Sequence, residues 1–374
     1  MYNHIVNCMD HNDSIYKYQF GFRQRRSTQQ ALITLVEKIT SSLDNGDFVI
    51  GVFLDLKKAF DTVDHQILLK KLFAYGIRGN ILKWFESYLT DRSQYVTYDG
   101  VQSTILTIKC GVPQGSILGP LLFIIYMNDI CNVSDLLYTV LYADDTSVLV
   151  NNKDIEHLFK VLNDELHKLY IWLAANKLSL NTNKTYYLVF HRARIKLPNN
   201  RLGISMNNCV LNEVKQCKYL GVILDCKISW VQHIAYVKSK ISKGIGIMYQ
   251  ARKYLNRQTL ANLYNSYIYP YLVYCVESWG NVASCHLDPL FILQKKMVRI
   301  ITFSNYDAPS QVIFRELNIL PLYHLVQNRI SFMMYKYVNG LLPDVMNKFY
   351  ITHFSFIMEK NINYWLPIFD KKIS

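Results

Sequence analysis

Three aspartates lie at the ends of strongly hydrophobic stretches, and few folds tolerate acidic groups in such places. Asp55 comes near the end of the β-branched run FVIGVFLDL (48–56), which predicts a central strand buried on both faces. Asp144 and Asp145 interrupt LLYTVLYADDTSVLV (136–150), which predicts a hairpin with two carboxylates at its tip. Because carboxylates are costly to desolvate, the fold must pair them or place a cation among them.

A divalent cation solves this problem better than the nearby lysines do. Two carboxylates within ~4 Å repel by roughly 4 kcal/mol at an effective dielectric of about 20. Lys57 and Lys58 follow Asp55, but side chains alternate along a strand, so at most one of them shares its face. Oxygen ligands without His or Cys suit Mg²⁺, and two ions ~3.5–4 Å apart would clamp the reacting oxygens of a phosphoryl transfer. The plainer alternative is that each aspartate caps a turn.

The rest of the chain predicts a mixture of helices and short strands. Asp99-Gly100 indicates a two-residue hairpin turn, and Ser27 and Asp64 are typical N-caps. Helices are predicted over 27–43, 65–75, 80–89, 116–130 and 154–176, and strands over 48–56 and 185–190. A further short hairpin is predicted to begin at 218–225.

Charge is unevenly distributed along the chain. The formal net charge is +13, and residues 231–300 hold nine Lys or Arg against two acids. This pattern predicts a basic helical domain beyond about residue 230 and a polyanionic partner, with nucleic acid favoured over an acidic membrane surface. The eight cysteines form no CxxC pair, which argues against a zinc knuckle or a disulfide framework and favours a reducing compartment. No apolar run approaches the ~20 residues of a membrane span.

Several motifs occur in a defined order. They are QFGFRQRRST (19–28), VFLDLKKAFDTVDH (52–65), GVPQGSILGP (111–120), LYADDTSVLV (141–150), KYLGVILD (218–225) and WGNVASCHLDPLFILQKKMVRIIT (279–302). Together they resemble the fingers, palm and post-thumb motifs of reverse transcriptases, most closely those of non-long-terminal-repeat (LINE-type, jockey-like) retrotransposons. The similarity extends over nearly the whole chain.

The resemblance implies roles for the residues around the aspartates. Asp55 and Asp144 match the family's metal ligands, with the carbonyl of Leu56 as an extra ligand, and Asp145 matches the third catalytic carboxylate. Phe60 matches an aromatic gate whose ring leaves no room for a 2′-hydroxyl, so that deoxynucleotides are selected. The alternative for Phe60 is a core phenylalanine on the turn after the strand.

Further roles follow from the same resemblance. Gln114 would contact the incoming nucleotide and the template base, and Lys184 would protonate the leaving pyrophosphate or stabilise its charge. Arg23, Arg25 and Arg26 could pair with phosphates bidentately. The alternatives are a solvated loop lysine for Lys184 and a solvated face at the start of the helix for the arginines. The expected primer grip consists of Tyr219 and Leu220. The residues expected to contact the nucleic-acid backbone are Lys238, Lys240, Lys243, Arg252 and Lys253.

The resemblance implies an α+β, right-hand polymerase fold of the reverse transcriptase type, with an antiparallel-sheet palm backed by helices. The expected divisions are partial fingers at 1–47, a palm at 48–230 with 65–109 at its junction with the fingers, a basic helical thumb at 231–302, and a C-terminal helical extension at 303–374 whose function is unknown. The chain begins 18 residues before QFGFR, so a truncated or partial chain is expected.

The implied function is RNA-directed DNA polymerisation by a retrotransposon protein. The expected cofactor is two Mg²⁺ ions, with Mn²⁺ as an alternative, and the expected partners are an RNA template, a DNA primer or RNA–DNA hybrid, and dNTPs. No membrane or protein partner is expected, and the location would be intracellular, in nucleus or cytoplasm. One alternative is an inactive, retrotransposon-derived nucleic-acid-binding remnant. Another is an RNA-dependent RNA polymerase, whose tetrad usually has Gly where this chain has Ala143.

Overall fold

The structure is a computed structural model that describes residues 1–193, 195–198 and 202–346. Residues 194 and 199–201, and residues 347–374 of the predicted extension, therefore lie outside the described residues. Two compact units are present, Met1–Ala31 with Lys38–Val214 and Leu32–Glu37 with Lys215–Ser374. The second unit begins before the boundary expected near 230, and the functional names given to the domains stay predictions.

Helices and short strands alternate along both units. The α-helices of the described chain are α1 (Tyr2–His11), α2 (Thr28–Asp44), α3 (His65–Ala74), α4 (Gly79–Leu89), α5 (Leu118–Met127), α6 (Ile155–Ala175), α7 (Val231–Ala251), α8 (Arg257–Tyr267), α9 (Tyr269–Val273), α10 (Val276–Trp279), α11 (Ser284–Ile301), α12 (Ser310–Glu316) and α13 (Leu322–Val338). Short 3₁₀ helices cover Ala59–Thr62, Asn128–Val133 and Asp344–Met346.

The strands are β1 (Phe48–Leu54), β2 (Ser93–Gln94), β3 (Thr97–Tyr98), β4 (Val101–Gln102), β5 (Leu106–Thr107), β6 (Tyr138–Tyr142), β7 (Asp145–Asn152), β8 (Tyr186–Phe190), β9 (Ser205–Met206), β10 (Cys209–Val210), β11 (Asn212–Glu213), β12 (Gln216–Tyr219) and β13 (Val222–Asp225). Five of them form the main sheet of the first unit, in the order β11-β8-β1-β7-β6. All neighbours pair antiparallel except β11 and β8, which run parallel at one edge. The α+β fold class is confirmed.

Local signals in the sequence explain most of these elements. The Ser27 side chain accepts a hydrogen bond from the Gln30 N–H at the start of α2, and Asp64 caps α3 in the same way. Helix α3 ends before Gly76, whose φ of +90° is available to glycine at little cost. Helix α5 is buried from Leu121 through Met127, as its uniformly apolar sequence predicts.

The core of the first unit lies between the sheet and the helices that back it. Helix α6 contacts β1 and β7, and α5 packs against α3. The buried face of α6 consists of Ile155, Leu158, Phe159, Leu162, Glu165, Leu166, Leu169 and Leu173. Strand β1 is central because it pairs with β7 on one side and β8 on the other. Asp55, the residue that follows β1, therefore leaves the sheet between these two strands.

The described part of the second unit consists of the β12–β13 hairpin followed by helices. Helix α7 packs against α11, and its buried residues include Ile234, Val237, Ile241 and Met248. Within the described residues, no helix combines the length and hydrophobicity needed to traverse a bilayer. All eight cysteines lie in the described part of the chain, and each is a free thiol.

Candidate active site

The register of the sheet brings the three aspartates to one edge. In the β1–β7 pair Leu54 pairs with Thr146 at the end of the ladder, so Asp55, which follows Leu54, and Asp145, which precedes Thr146, both lie at this edge. Tyr142 pairs with Asp145 across the β6–β7 hairpin, which leaves Ala143 and Asp144 as the turn between the strands. The predicted hairpin with two carboxylates at its tip is therefore present.

Asp55 is held by the segment that precedes β8. Its Oδ2 accepts a hydrogen bond from Asn181 Nδ2 at 2.8 Å, and its N–H donates to Thr185 Oγ1 at 3.2 Å. The Asn181 N–H also donates to the Asp55 carbonyl at 2.8 Å. Within this segment the sequence predicted a role for Lys184 and none for Asn181. Its contact with Asp55 spans 126 positions, which no local pattern indicates.

The aspartates interact electrostatically. Partial desolvation by the surrounding protein is the main cause that raises the pKa of Asp145 to about 6, and the negative charges of Asp144 and Asp55 add to it. Because the side chain of Asp145 keeps much of its surface exposed, the coupling to its two neighbours is the more informative part of this shift. Ionisation of Asp145 is thus opposed by the charges of Asp144 and Asp55, and a cation would relieve that opposition.

The donor chemistry of this edge fits Mg²⁺. Carboxylate oxygens and a backbone carbonyl are hard ligands, and a hard dication prefers them over nitrogen or sulfur. Among the described residues, no three His, Cys, Asp or Glu side chains lie close enough to enclose an ion as they stand. The three aspartates are neighbours in the sheet whose side chains would draw together around the positive charge.

Phe60 lies on the 3₁₀ helix that follows β1, as the resemblance implied. Its ring stacks on Phe123 with centroids 4.2 Å apart, and it meets the ring of Phe22 edge-on at 6.1 Å. Phe22 is 50% exposed, whereas Phe60 is partly buried. Phe60 thus packs on the buried core residue Phe123, as the alternative of a core phenylalanine expects, and its role as a gate stays a prediction. The sequence analysis did not single out Phe22.

Gln114 is exposed in the turn before α5. Its Nε2 donates to Asp61 Oδ1 at 2.8 Å, and the following Gly115 has φ of +78° with open space where a Cβ would lie. Gln114 and Asp61 line a cavity of about 800 Å³ that Lys58, Arg92 and Lys109 also border. Lys184 is exposed in the turn that begins at Asn181. Both predicted nucleotide contacts are thus accessible, and their roles stay predictions.

The two predicted phosphate-binding arginines have partners within the N-terminal segment. Arg23 pairs with Asp10 at 2.9 Å and donates to the Tyr16 carbonyl at 3.2 Å, and its side chain is only 14% exposed. Arg26 contacts the carbonyl of Lys17 and lies 5.4 Å over the Phe20 ring. Both guanidinium groups bind acceptors within this N-terminal segment. They could bind a phosphate only by giving up these partners.

The predicted primer grip is a tight hairpin in the second unit. Tyr219 is buried at the end of β12, and Leu220 and Gly221 both have positive φ, as the type I′ turn requires. The Tyr274 hydroxyl donates to the Leu220 carbonyl at 2.7 Å. The remaining backbone-binding candidates are exposed or half-buried cations, namely Lys238, Lys240, Lys243, Arg252 and Lys253.

A mainly antiparallel sheet with three aspartates at one edge and a stacked aromatic ring on the following turn is the arrangement expected of a nucleotide polymerase. A sequence profile described as "Reverse transcriptase (RNA-dependent DNA polymerase)" matches residues 1–224. The chain therefore belongs to the reverse transcriptase family.

Similar proteins agree with this assignment. The RNA-directed DNA polymerase from mobile element jockey of Drosophila melanogaster is 30% identical over 340 residues, which is 87% of this chain and 36% of that protein. The probable RNA-directed DNA polymerase from transposon BS of the same organism is 30% identical over 88% of this chain and 37% of its own length. Among solved structures, apo telomerase from Candida tropicalis aligns with 96% of this chain and 60% of that chain, at 12% identity and a TM-score of 0.47. The chain spans little more than a third of the two retrotransposon proteins.

Proposed function

We propose that this chain is the polymerase portion of a retrotransposon reverse transcriptase, which extends a DNA primer on an RNA template with dNTPs. The observation that supports this most directly is the electrostatic coupling of Asp145 to Asp144 and Asp55 at one edge of the sheet. Carboxylates clustered in this way are unfavourable in a structural role and useful in phosphoryl transfer. The 30% identity to RNA-directed DNA polymerases of mobile elements supports the choice of substrate.

Each residue at the edge has a separate task in this reaction. Asp55 and Asp144, with the carbonyl of Leu56, would hold two Mg²⁺ or Mn²⁺ ions, and Asp145 would add negative charge beside them. When bound, the metal supplies a lower pKa for the primer 3′-hydroxyl and neutralises charge on the phosphates. Asn181 keeps the Asp55 carboxylate oriented through its hydrogen bond at 2.8 Å.

The groups around the carboxylates would bind and select the nucleotide. The Phe60 ring, held flat against Phe123, would occupy the space that a 2′-hydroxyl needs. Gln114 would orient the nucleotide against the template, and Lys184 would deliver a proton to the departing pyrophosphate. The exposed cations on and after α7 would follow the phosphate backbone without reading sequence. Because templates and dNTPs are intracellular, we expect the protein to work in the nucleus or cytoplasm.

Primer extension tests this proposal directly. Purified chain is incubated with a DNA primer, an RNA template, dNTPs and Mg²⁺, beside Asp144→Asn and the matched control Asp13→Asn, an exposed aspartate of the same unit. Extension by the wild type and by Asp13→Asn, with loss in Asp144→Asn, supports the enzyme. Binding of an RNA–DNA hybrid without extension by any of the three would favour an inactive remnant instead.

Sugar selection distinguishes a DNA polymerase from an RNA polymerase. If Phe60 is the gate, Phe60→Val should admit ribonucleotides while keeping extension with deoxynucleotides. The measurement is the ratio of incorporation of dNTP to NTP by wild type and variant on one template. An unchanged ratio would contradict the gate assignment, and a wild type that prefers NTPs would contradict the reverse transcriptase.

A further inference from the structure

The turn that carries Asp144 contains a backbone group that the hairpin itself does not satisfy. Ala143 is the first of the two turn residues, and the ladder between β6 and β7 does not use its N–H. Ala143 is only 5% exposed, so solvent is a poor partner for this group. Its φ is +57°, a conformation that costs an alanine more than it costs a glycine. A buried donor in a strained turn requires an acceptor from elsewhere in the fold.

Gln19 supplies that acceptor. Its Oε1 accepts from the Ala143 N–H at 3.1 Å and from the Gly21 N–H at 2.8 Å. The side chain is 1% exposed, so these bonds form in an environment from which water is largely excluded. Since both backbone groups are donors, only the oxygen of the side-chain amide can face them.

The main chain around Gln19 is fastened to the same strand. The Phe20 N–H donates to the Leu141 carbonyl at 2.8 Å, and the Leu141 N–H donates to the Tyr18 carbonyl at 3.0 Å. At Gly21 an added Cβ would lie 2.2 Å from the Ala143 nitrogen, so only glycine permits this approach. The 18–21 segment therefore lies against the turn as an additional, short parallel partner of β6.

We propose that Gln19 is a positioning residue, whose amide oxygen holds the Ala143–Asp144 turn in the one conformation that directs Asp144 towards Asp55 and Asp145. This inference rests on the proposed polymerase function for its consequence and on the two hydrogen bonds for its geometry. Without the amide oxygen, the two backbone donors lose their buried acceptor, and the turn can leave its strained conformation. The Asp144 carboxylate would then sample more positions, and metal would bind more weakly.

Amide hydrogen exchange tests the geometry without metal or substrate. Gln19→Met keeps the length and burial of the side chain but removes the acceptor, so peptides covering 138–146 should exchange faster. The matched control is Gln294→Met, because the Oε1 of this fully buried glutamine accepts the Leu322 N–H at 2.8 Å in the second unit. The control should lower thermal stability and leave exchange in 138–146 unchanged.

The dependence of primer extension on Mg²⁺ tests the consequence. Loss of a residue that orients a metal ligand typically weakens metal affinity 10–100-fold, so Gln19→Met should need at least ~10-fold more Mg²⁺ for half-maximal extension. The KM for dNTP at saturating Mg²⁺ should change much less. Ala143→Gly removes the strain at φ +57°. The double variant Gln19→Met/Ala143→Gly should therefore recover part of the Mg²⁺ affinity that Gln19→Met loses. The recovery should be incomplete, because the acceptor for the two backbone N–H groups is still missing.

The outcomes separate this inference from the proposed function. Unchanged exchange in 138–146 for Gln19→Met overturns the positioning role, whether or not the chain is an active polymerase. Faster exchange in a chain that never extends a primer retains the structural role and rejects the proposed function. If Gln19→Met fails to fold, the comparison is made between Ala143→Gly and Gln19→Met/Ala143→Gly. Equal exchange and equal Mg²⁺ dependence in that pair would also overturn the inference.

Discussion

Two nearly identical tetrapeptides, Val-Phe-Leu-Asp at 52–55 and Val-Ile-Leu-Asp at 222–225, end in aspartates with very different surroundings. Each contributes hydrophobic residues to a strand, β1 in the first unit and β13 in the second. Asp55 directly follows the end of the β1–β7 ladder, and its charge acts on Asp145 together with that of Asp144. Asp225 instead turns its carboxylate onto the backbone that follows it.

The hydrogen bonds of Asp225 are those of a structural cap. It accepts from the N–H groups of Lys227 at 3.0 Å, Ser229 at 2.9 Å and Trp230 at 3.0 Å. The Ser229 hydroxyl adds a fourth donor at 3.0 Å. This cluster of donors shapes the entry into α7, where Trp230 takes φ of +63°.

The two aspartates differ in what surrounds their carboxylates. A carboxylate surrounded by backbone donors is already compensated and has little reason to bind a cation. A carboxylate that has one side-chain donor and two other carboxylates near it is further stabilised when positive charge arrives. The local sequence is almost the same in both places, so the partners brought by the fold make the difference.

The largest expected effect is the loss of polymerase activity in Asp55→Asn. The amide can still accept from Asn181, but it removes a negative charge from the edge of the sheet. We expect primer extension to fall by at least ~100-fold, comparable to the loss of one group that stabilises a transition state. Thermal unfolding should show no loss of stability, because one of three repelling charges is gone. Substantial primer extension by Asp55→Asn would contradict a catalytic role for Asp55.

Asp225→Asn should have the reverse effect, a loss of stability. Its amide nitrogen would face backbone donors that now lack a charged acceptor, which costs about 1–3 kcal/mol of unfolding free energy. Urea unfolding measures this change, with Asp13→Asn as the control that should unfold like the wild type. Any decrease in extension should disappear at low temperature, where the folded form again dominates. A stable but inactive Asp225→Asn would instead make this aspartate functional.

The smallest expected effect is a pH-dependent gain of stability in Asp145→Asn without metal. The folded pKa of about 6 lies above the usual value of ~3.9, so ionised Asp145 opposes folding above pH 6. The wild type therefore gains stability as pH falls through 6 towards 4, and the variant lacks this gain. Asp145→Asn should be more stable than the wild type at pH 8 and equal to it near pH 4. The difference is small because solvent screens an exposed side chain.

Much of the first unit was predictable from local sequence. The N-caps at Ser27 and Asp64, the Asp99-Gly100 turn and the hairpin around Asp144 all appear where the patterns indicated. These elements depend on residues within a few positions of one another. The predicted strand 48–56 is shorter at its end, because Asp55 leaves the ladder to meet Asn181.

The residues that the sequence did not single out make contacts between distant positions. Gln19 meets Ala143 across 124 residues, and Asn181 meets Asp55 across 126. The phosphate role of Arg23 stays a prediction; in the structure its partners are Asp10 and the Tyr16 carbonyl. A glutamine or an asparagine in a loop carries no periodic signal, so its role could not be inferred before its partner was known.

From the chain alone came the order of the elements, the polymerase family and the identity of the three acidic groups. Those depend on residue type, hydrophobic period and turn chemistry, which are properties of neighbouring positions. Folding decided which carboxylates remain uncompensated, which arginines are engaged, and which buried oxygen holds the turn beside Asp144. These outcomes depend on strand register and on the burial of polar groups, and both exist only after distant segments have packed together.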